Sequence, residues 1–108
     1  MAKLNVGVFG AAGKMGSTTC QAINNDDSMT LAFGVDAKQV GEVIPNTTIE
    51  ITDSLENLKG IDVAVDFTVA EVAMKNLELV AQSGVHAVVG TSGITEENVS
   101  ELSEMFTE

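Results

Sequence analysis

Three glycines at one spacing carry the strongest chemical signal in the chain. They are Gly10, Gly13 and Gly16, within the run Val8-Phe-Gly-Ala-Ala-Gly-Lys-Met-Gly16. A G-x-x-G-x-x-G pattern lets a strand turn sharply into a helix and lets the backbone come close to a diphosphate. The first turn of such a helix offers unpaired N–H groups and the positive end of its dipole. Ala11 and Ala12 are small enough not to block the approach. The residues expected to hold a pyrophosphate are therefore Gly10, Ala11, Ala12, Gly13, Lys14 and Met15. The N–H groups of Gly13, Lys14 and Met15 are expected to face it.

Spaced glycines alone are a weak signal, so the elements around them matter. Leu4–Phe9 reads as a short buried strand. Met15, Thr19, Ala22 and Ile23 then fall on one face of a helix. Met29–Val35 is a second strand, and Asp36 closes it. That places an acid about 20 residues beyond the last glycine, where a carboxylate bonds the ribose hydroxyls of a dinucleotide. A carboxylate there also repels a 2′-phosphate, which a neighbouring Arg would favour. Position 37 is Ala, and Lys14 and Lys38 are the nearby cations. The expected cofactor is thus NADH or NADPH, leaning to NADH, with some NADPH use through Lys14. The plainer alternatives are a tight turn without a ligand, a polar cap at Asp36 and a solvent-facing Lys14.

The remaining elements must bring these residues together. Residues 37–48 read as loop, and 49–51 as a short strand. Asp53 could cap a short helix over 54–59, with Gly60 as its stop. Ile61–Phe67 is a strand. Ala70–Ser83 is a helix with Ala73, Leu77, Val80 and Ala81 inward. Val85–Val89 is another strand, followed by the turn Gly90-Thr-Ser-Gly93. Thr95 caps a final helix with Val99, Leu102 and Phe106 inward. Strands alternating with helices predict an α/β fold: a Rossmann-like, doubly wound parallel sheet with helices on both faces. Ligands in such sheets bind at the carboxyl ends of the strands. The glycine loop, Asp36, Asp66-Phe-Thr68 and the second glycine turn all fall there. The last strand would leave an unpaired edge open to self-association.

Composition excludes several functions. A net charge of −11 argues against nucleic acid or an anionic membrane as a partner. No Trp or Tyr is present to stack single-stranded bases. An anionic cofactor must then be held by local backbone dipoles against the global field. One His and one Cys are too few for a zinc set, so no metal site is expected. Cys20 reads as a small packed apolar residue. His86 reads as a packed or edge strand residue, and Asp62 and Asp66 as strand ends. The start Met1-Ala-Lys3 shows no leader pattern, and no apolar run is long enough to span a membrane. A cytoplasmic setting is expected.

At this point the chain resembles the 4-hydroxy-tetrahydrodipicolinate reductase (dihydrodipicolinate reductase) family. Three segments carry the resemblance: Val8 to Gly16, Val65-Asp-Phe-Thr68, and Val88-Val-Gly-Thr-Ser-Gly93. The first is shared with many dehydrogenases; its combination with the other two is much more specific. The resemblance implies that Gly10 to Met15 hold the diphosphate and Asp36 the adenosine ribose. It implies that Phe67 and Thr68 line the nicotinamide-ribose side, and that Gly90, Thr91 and Ser92 touch nicotinamide and substrate. The third position of that turn is usually Thr in the family; Ser92 keeps the hydroxyl.

The same resemblance implies reduction of 4-hydroxy-tetrahydrodipicolinate to tetrahydrodipicolinate in diaminopimelate and lysine biosynthesis, by a homotetramer. In the family, a second domain with a His-His segment and a Lys binds the dicarboxylate substrate and carries catalysis. These 108 residues contain no counterpart. Residues 1–108 are therefore expected to be a dinucleotide-binding domain truncated before the substrate domain, with no catalytic residue of its own and no turnover alone. Two alternatives stay open: another NAD(P)-dependent reductase domain, and a non-catalytic nucleotide-sensing module.

Overall fold

The computed structural model describes residues 3–53, 58–90 and 95–105. Along the chain these form β1 (Leu4–Phe9), α1 (Lys14–Asn24), β2 (Met29–Val35), β3 (Ile51–Thr52), β4 (Val63–Asp66), α2 (Ala70–Gln82), β5 (His86–Val89) and α3 (Glu96–Met105). The strands pair in parallel in the order β3-β2-β1-β4-β5. The chain winds outward from β1 on one side through α1 to β2. On the other side it winds from β4 through α2 to β5. The reversal between β1 and β4 is the switch point at which open α/β sheets bind ligands. The expected Rossmann-like sheet is therefore present. Among the described residues no helix is long and apolar enough to cross a membrane.

Two apolar clusters cover the sheet. Val6, Val8, Leu31, Ile51 and Val65 pack with Cys20 and Ile23 of α1. Phe9, Phe33, Val35 and Ala64 pack with Val80 of α2 and with Val85. Simple alternation would put Leu31 and Phe33 on one face of β2. They lie in opposite clusters because the β1–β2 register slips by one residue: Val6 pairs Leu31, but Gly7 pairs Phe33. The bulge at Ala32 flips the parity of the rest of the strand.

Helix α1 turns a different face inward from the one its apolar spacing suggests. Gly16, Cys20 and Ile23 are buried, whereas Met15 is 60% exposed. Packing of a glycine onto the loop, treated below, sets this rotation. Helix α2 buries Ala73, Leu77 and Val80 as expected, while Ala81, also expected inward, is half-buried. Thr95 caps α3 reciprocally: Asn98 N–H donates to Thr95 Oγ1, and Thr95 N–H donates to Asn98 Oδ1, each at 3.1 Å. Val99, expected inward, is 52% exposed; the Leu102 side chain and Phe106 lie outside the described residues. So does most of the short helix expected over 54–59.

The loop over residues 37–50 supplies an unexpected core residue. Ile44 is completely buried and lies over Gly34, where a side chain would meet its Cδ1 at 2.5 Å. A turn at Pro45-Asn46 makes this possible: Ile44 N–H donates to Ile49 O at 2.9 Å, and Asn46 takes φ 62°. Asn46 Nδ2 also donates to Gln21 Oε1 of α1 at 2.8 Å, pinning the loop to the helix. The edge strand β5 leaves Val88 and Val89 exposed. His86 is exposed at the amino end of β5, the end of the sheet away from the strand carboxyl termini.

Cys20 is fully buried, and burial pushes its thiol up from an ordinary 9.0 to about 11. A rise of this size lowers the thiolate fraction near pH 8 about a hundredfold. Ellman's reagent at pH 8 is therefore expected to react with Cys20 at least about a hundredfold more slowly in the folded chain than in urea. Equal rates would mean that the thiol is not enclosed.

Candidate functional site

Gly10, Asp36, Phe67 and Gly90 each directly follow a strand: β1, β2, β4 and β5. All four border one open cleft of about 830 Å³. Cofactor pockets fall in this size range. The cleft runs from Asp36 at the end of β2, across the glycine loop, to the β4 and β5 ends.

The loop is anchored before it turns. Gly10 N–H and Ala11 N–H both donate to Val35 O, at 2.7 and 3.1 Å. Gly10 has φ +89°, a conformation that favours glycine, and a Cβ there would lie 2.9 Å from the Phe67 carbonyl carbon. Gly13 N–H then donates to Gly10 O at 3.2 Å, and Ser17 N–H to Gly13 O at 2.8 Å opens the helix. Gly16 sits directly on the loop: a Cβ there would be 1.9 Å from Gly10 O. Glycine at 16 therefore sets both the tightness of the turn and the inward face of α1.

This geometry leaves the N–H groups of Lys14, Met15 and Gly16 with no hydrogen-bond partner among the described residues. The N-cap Gly13 has no side chain to cap them. The donor set is shifted one residue from the expected one, because Gly13 N–H is committed to Gly10 O. Ala11, expected at the diphosphate, is not among the residues that border the cleft. Its side chain is buried in the α1-side core and its N–H is taken by Val35 O, so it shapes the loop from beneath. Lys14 is exposed and its side chain does not line the cleft. Gly10, Ala12, Gly13 and Met15 do line it. Free donors at a helix N-terminus, over a loop that side chains would fill, fit the diphosphate of a dinucleotide.

Asp36 borders the cleft at the β2 end and bonds the loop directly. Its Oδ2 accepts Ala12 N–H at 3.0 Å, and its Oδ1 accepts Lys38 N–H at 2.9 Å. Each carboxylate oxygen has further lone-pair capacity, so ribose hydroxyls can still be accepted. At the other end of the cleft, the Phe67 ring lies against Gly90, where a Cβ would meet its Cε1 at 2.3 Å. Thr68 stands beside it. Thr91 and Ser92 lie outside the described residues.

The structure adds cleft residues that the sequence reading missed. Val69, Val72 and Asn76 come from the start of α2, and Gln39 and Asp53 border the β2 end. Reading the first turns after β4 as those after β1 were read would have found Val69, Val72 and Asn76. No local signal marks Gln39 or Asp53, which depend on the path of the 37–50 loop. Among the described residues, no cluster of His, Cys, Asp or Glu could hold a metal ion.

Comparison with known proteins gives concordant matches. The family described as "Dihydrodipicolinate reductase, N-terminus" matches residues 4–108. A 4-hydroxy-tetrahydrodipicolinate reductase of Mycobacterium sp. (strain KMS) is 38% identical over 101 residues, covering 94% of this chain and 36% of the relative. One of Dictyoglomus turgidum is 35% identical over 105 residues, covering 91% of this chain and 39% of the relative. The chain thus spans little more than a third of the length of these curated relatives. Among solved structures, a dipicolinate-bound dihydrodipicolinate reductase from Paenisporosarcina sp. TG-14 superposes with a TM-score of 0.76 at 26% identity. That match covers 95% of this chain and 43% of the other. Homoserine dehydrogenase of S. aureus superposes with a TM-score of 0.83 at 15% identity, which shows a shared fold.

Proposed function

The chain belongs to the dihydrodipicolinate reductase family, matching its N-terminal part, and on that premise we propose that it is the NAD(P)H-holding domain of a 4-hydroxy-tetrahydrodipicolinate reductase in diaminopimelate and lysine biosynthesis. The observation that carries this reading is the uncapped start of α1, with three free N–H groups over the glycine loop at the switch point. Those donors meet the diphosphate, and they act locally against a net charge of −11. Asp36 takes the adenosine ribose. Phe67, Thr68 and Gly90 line the nicotinamide half; by the family resemblance, Thr91 and Ser92 are assigned to nicotinamide and substrate. The bound cofactor supplies hydride, and this domain supplies its position and exclusion of water.

Substrate binding and proton delivery are assigned to residues outside these 108, as is assembly into a tetramer. His86 supports this assignment, because it stands at the end of the sheet away from the cleft. The free buried thiol of Cys20 suits a reducing cytoplasm. Titration of the chain with NADH by calorimetry or cofactor fluorescence tests the reading. Saturable one-to-one binding is expected, without steady-state NADH oxidation when substrate is added. Turnover well above a buffer control would overturn the division of labour, and absence of binding would overturn the domain's role.

The NADH preference follows from Asp36. A 2′-phosphate would sit against its carboxylate, and position 37 offers Ala in place of an Arg. NADH is expected to bind about tenfold tighter than NADPH at physiological ionic strength, a difference of about 1.4 kcal/mol. Tighter NADPH binding would assign the 2′-phosphate to Lys38 or Lys14 instead.

A further inference from the structure

Asp66 is the one charged side chain that is completely buried among the described residues. It ends β4 at the switch point, directly before the cleft residues Phe67 and Thr68. Burying a carboxyl group is unfavourable unless its oxygens are bonded, and here they are. Oδ1 accepts both the backbone N–H of Thr68 at 2.8 Å and its hydroxyl at 2.5 Å. Oδ2 accepts Asn76 Nδ2 at 3.0 Å, from the second turn of α2. The backbone of the same turn is fixed from two sides. Phe67 N–H donates to Phe9 O at 3.0 Å, and Gly90 N–H donates to Asp66 O at 2.9 Å.

The chemical consequence lies in the Thr68 hydroxyl. A hydroxyl has one proton and two lone pairs. Two acceptors lie within reach of that proton, Asp66 Oδ1 at 2.5 Å and Val69 O at 3.3 Å. With the proton on the much shorter contact to Asp66, or on either of them, Thr68 Oγ1 can only accept from anything in the cleft. The hydroxyl groups of a ribose are donors of the matching kind. The cleft places this acceptor at the β4 end, across the glycine loop from Asp36, so it faces the second nucleoside of a dinucleotide and not the first.

We propose that Asp66 and Asn76 are positioning residues that hold the Thr68 hydroxyl as an acceptor for a ribose hydroxyl on the second nucleoside half of the cofactor. This rests on the dinucleotide reading of the cleft. Asn76 also borders the cleft, but the role assigned to both residues runs through Thr68. Asn76 orients the carboxyl group, and the carboxyl group orients the hydroxyl.

Three ligands separate the possibilities in the 108-residue chain: NADH, ADP-ribose and ADP. The first two carry the second ribose and ADP does not. Asn76→Leu is expected to weaken NADH and ADP-ribose about tenfold, the worth of one hydrogen bond to a charged group. ADP should change less than about twofold. Thr68→Val should show the same selectivity. Asn76→Leu added to Thr68→Val should cost nothing further, because the two act through one bond. The inverted pair Asp66→Asn with Asn76→Asp keeps an acceptor for Thr68 and a donor–acceptor contact between the partners, and should restore binding. Equal loss of ADP, or additive losses in the double variant, would overturn the positioning role and leave the dinucleotide reading intact. A wild-type chain that binds none of the three ligands overturns both.

Discussion

Gly16→Ala is expected to weaken NADH binding by about a hundredfold or more, while Gly13→Ala leaves the fold unchanged. The two glycines look equivalent in the sequence pattern and differ in what a methyl group would meet. At Gly16 the added Cβ lies 1.9 Å from Gly10 O and 2.7 Å from Gly10 C. Both are backbone atoms of a loop held by two hydrogen bonds to Val35 O, so neither can rotate aside. The helix must lift from the loop by roughly an ångström, and losing one or two hydrogen bonds to a charged diphosphate is worth about a hundredfold in affinity. At Gly13 the nearest atom is 3.5 Å away, an ordinary contact, and φ is −74°. Calorimetric titration with NADH and thermal melts by circular dichroism read the two effects separately. Gly16→Ala should also lower the melting temperature, because Cys20 and Ile23 move with the helix. A Gly16→Ala chain that binds NADH as the wild type does would show that the close approach of α1 to the loop has no role in holding the diphosphate.

What the sequence revealed and what it hid divide along a physical line. The glycine loop and the nearby Asp36 were legible as a cluster because a tight strand-to-helix turn admits few residue types, at a spacing set by one helix and one strand. The strands at 4–9 and 29–35 were legible as short apolar runs. The inward face of α1 was not, because two of its three buried positions are Gly16 and Cys20, while the strongly apolar Met15 lines the cleft. The parity of β2 was hidden by the bulge at Ala32, which leaves no mark in an alternation pattern. Ile44 belongs to a stretch without periodicity, and only the turn at Pro45-Asn46 carries it back over Gly34. Asp66 reads as an ordinary strand-end acid. Its burial depends on Asn76, supplied from the following helix, a pairing that no window of strand length contains.

These contrasts bear on the β4–β5 half of the cleft, proposed above for the nicotinamide. The proposed diphosphate site is built by one continuous segment, so a short motif specifies it. The second half draws on β4, α2 and the residue after β5, and its parts must be held in register by tertiary contacts. Phe67 shows this: its ring fills the space above Gly90 while its backbone closes on Gly10. One aromatic residue therefore sets the separation between the glycine loop and the β5 end. The sheet beneath these loops fixes the same separation, which makes packing within the sheet a determinant of the site.

The residue on which that packing turns is Gly7, in the central strand β1. A Cβ built there would lie 1.8 Å from Cε2 and 2.1 Å from Cζ of Phe33. The Phe33 ring occupies the space a side chain would take, and it meets Phe9 edge-on at 5.3 Å with an interplanar angle of 67°. Leu58, Val80 and Val85 of the same cluster are also buried, so the ring sits in a packed core rather than at the surface. Gly7→Ala is therefore expected to destabilise the chain by about 3 kcal/mol, the upper range for overpacking a core. That is a large share of the roughly 5–15 kcal/mol that holds a domain of ordinary stability. Phe33→Leu alone should cost about 1–2 kcal/mol through lost contacts. Combined with Gly7→Ala it should recover part of the loss, because the smaller side chain yields the space. Urea denaturation of the four chains gives the coupling directly, and a favourable interaction of about 1–2 kcal/mol is expected. Strict additivity, or a Gly7→Ala chain within about 0.5 kcal/mol of the wild type, would show that the ring can move aside freely. Binding adds a second reading of the same cycle. The Gly7→Ala shift should pass through β1 into Gly10, so the double variant should recover NADH affinity together with stability.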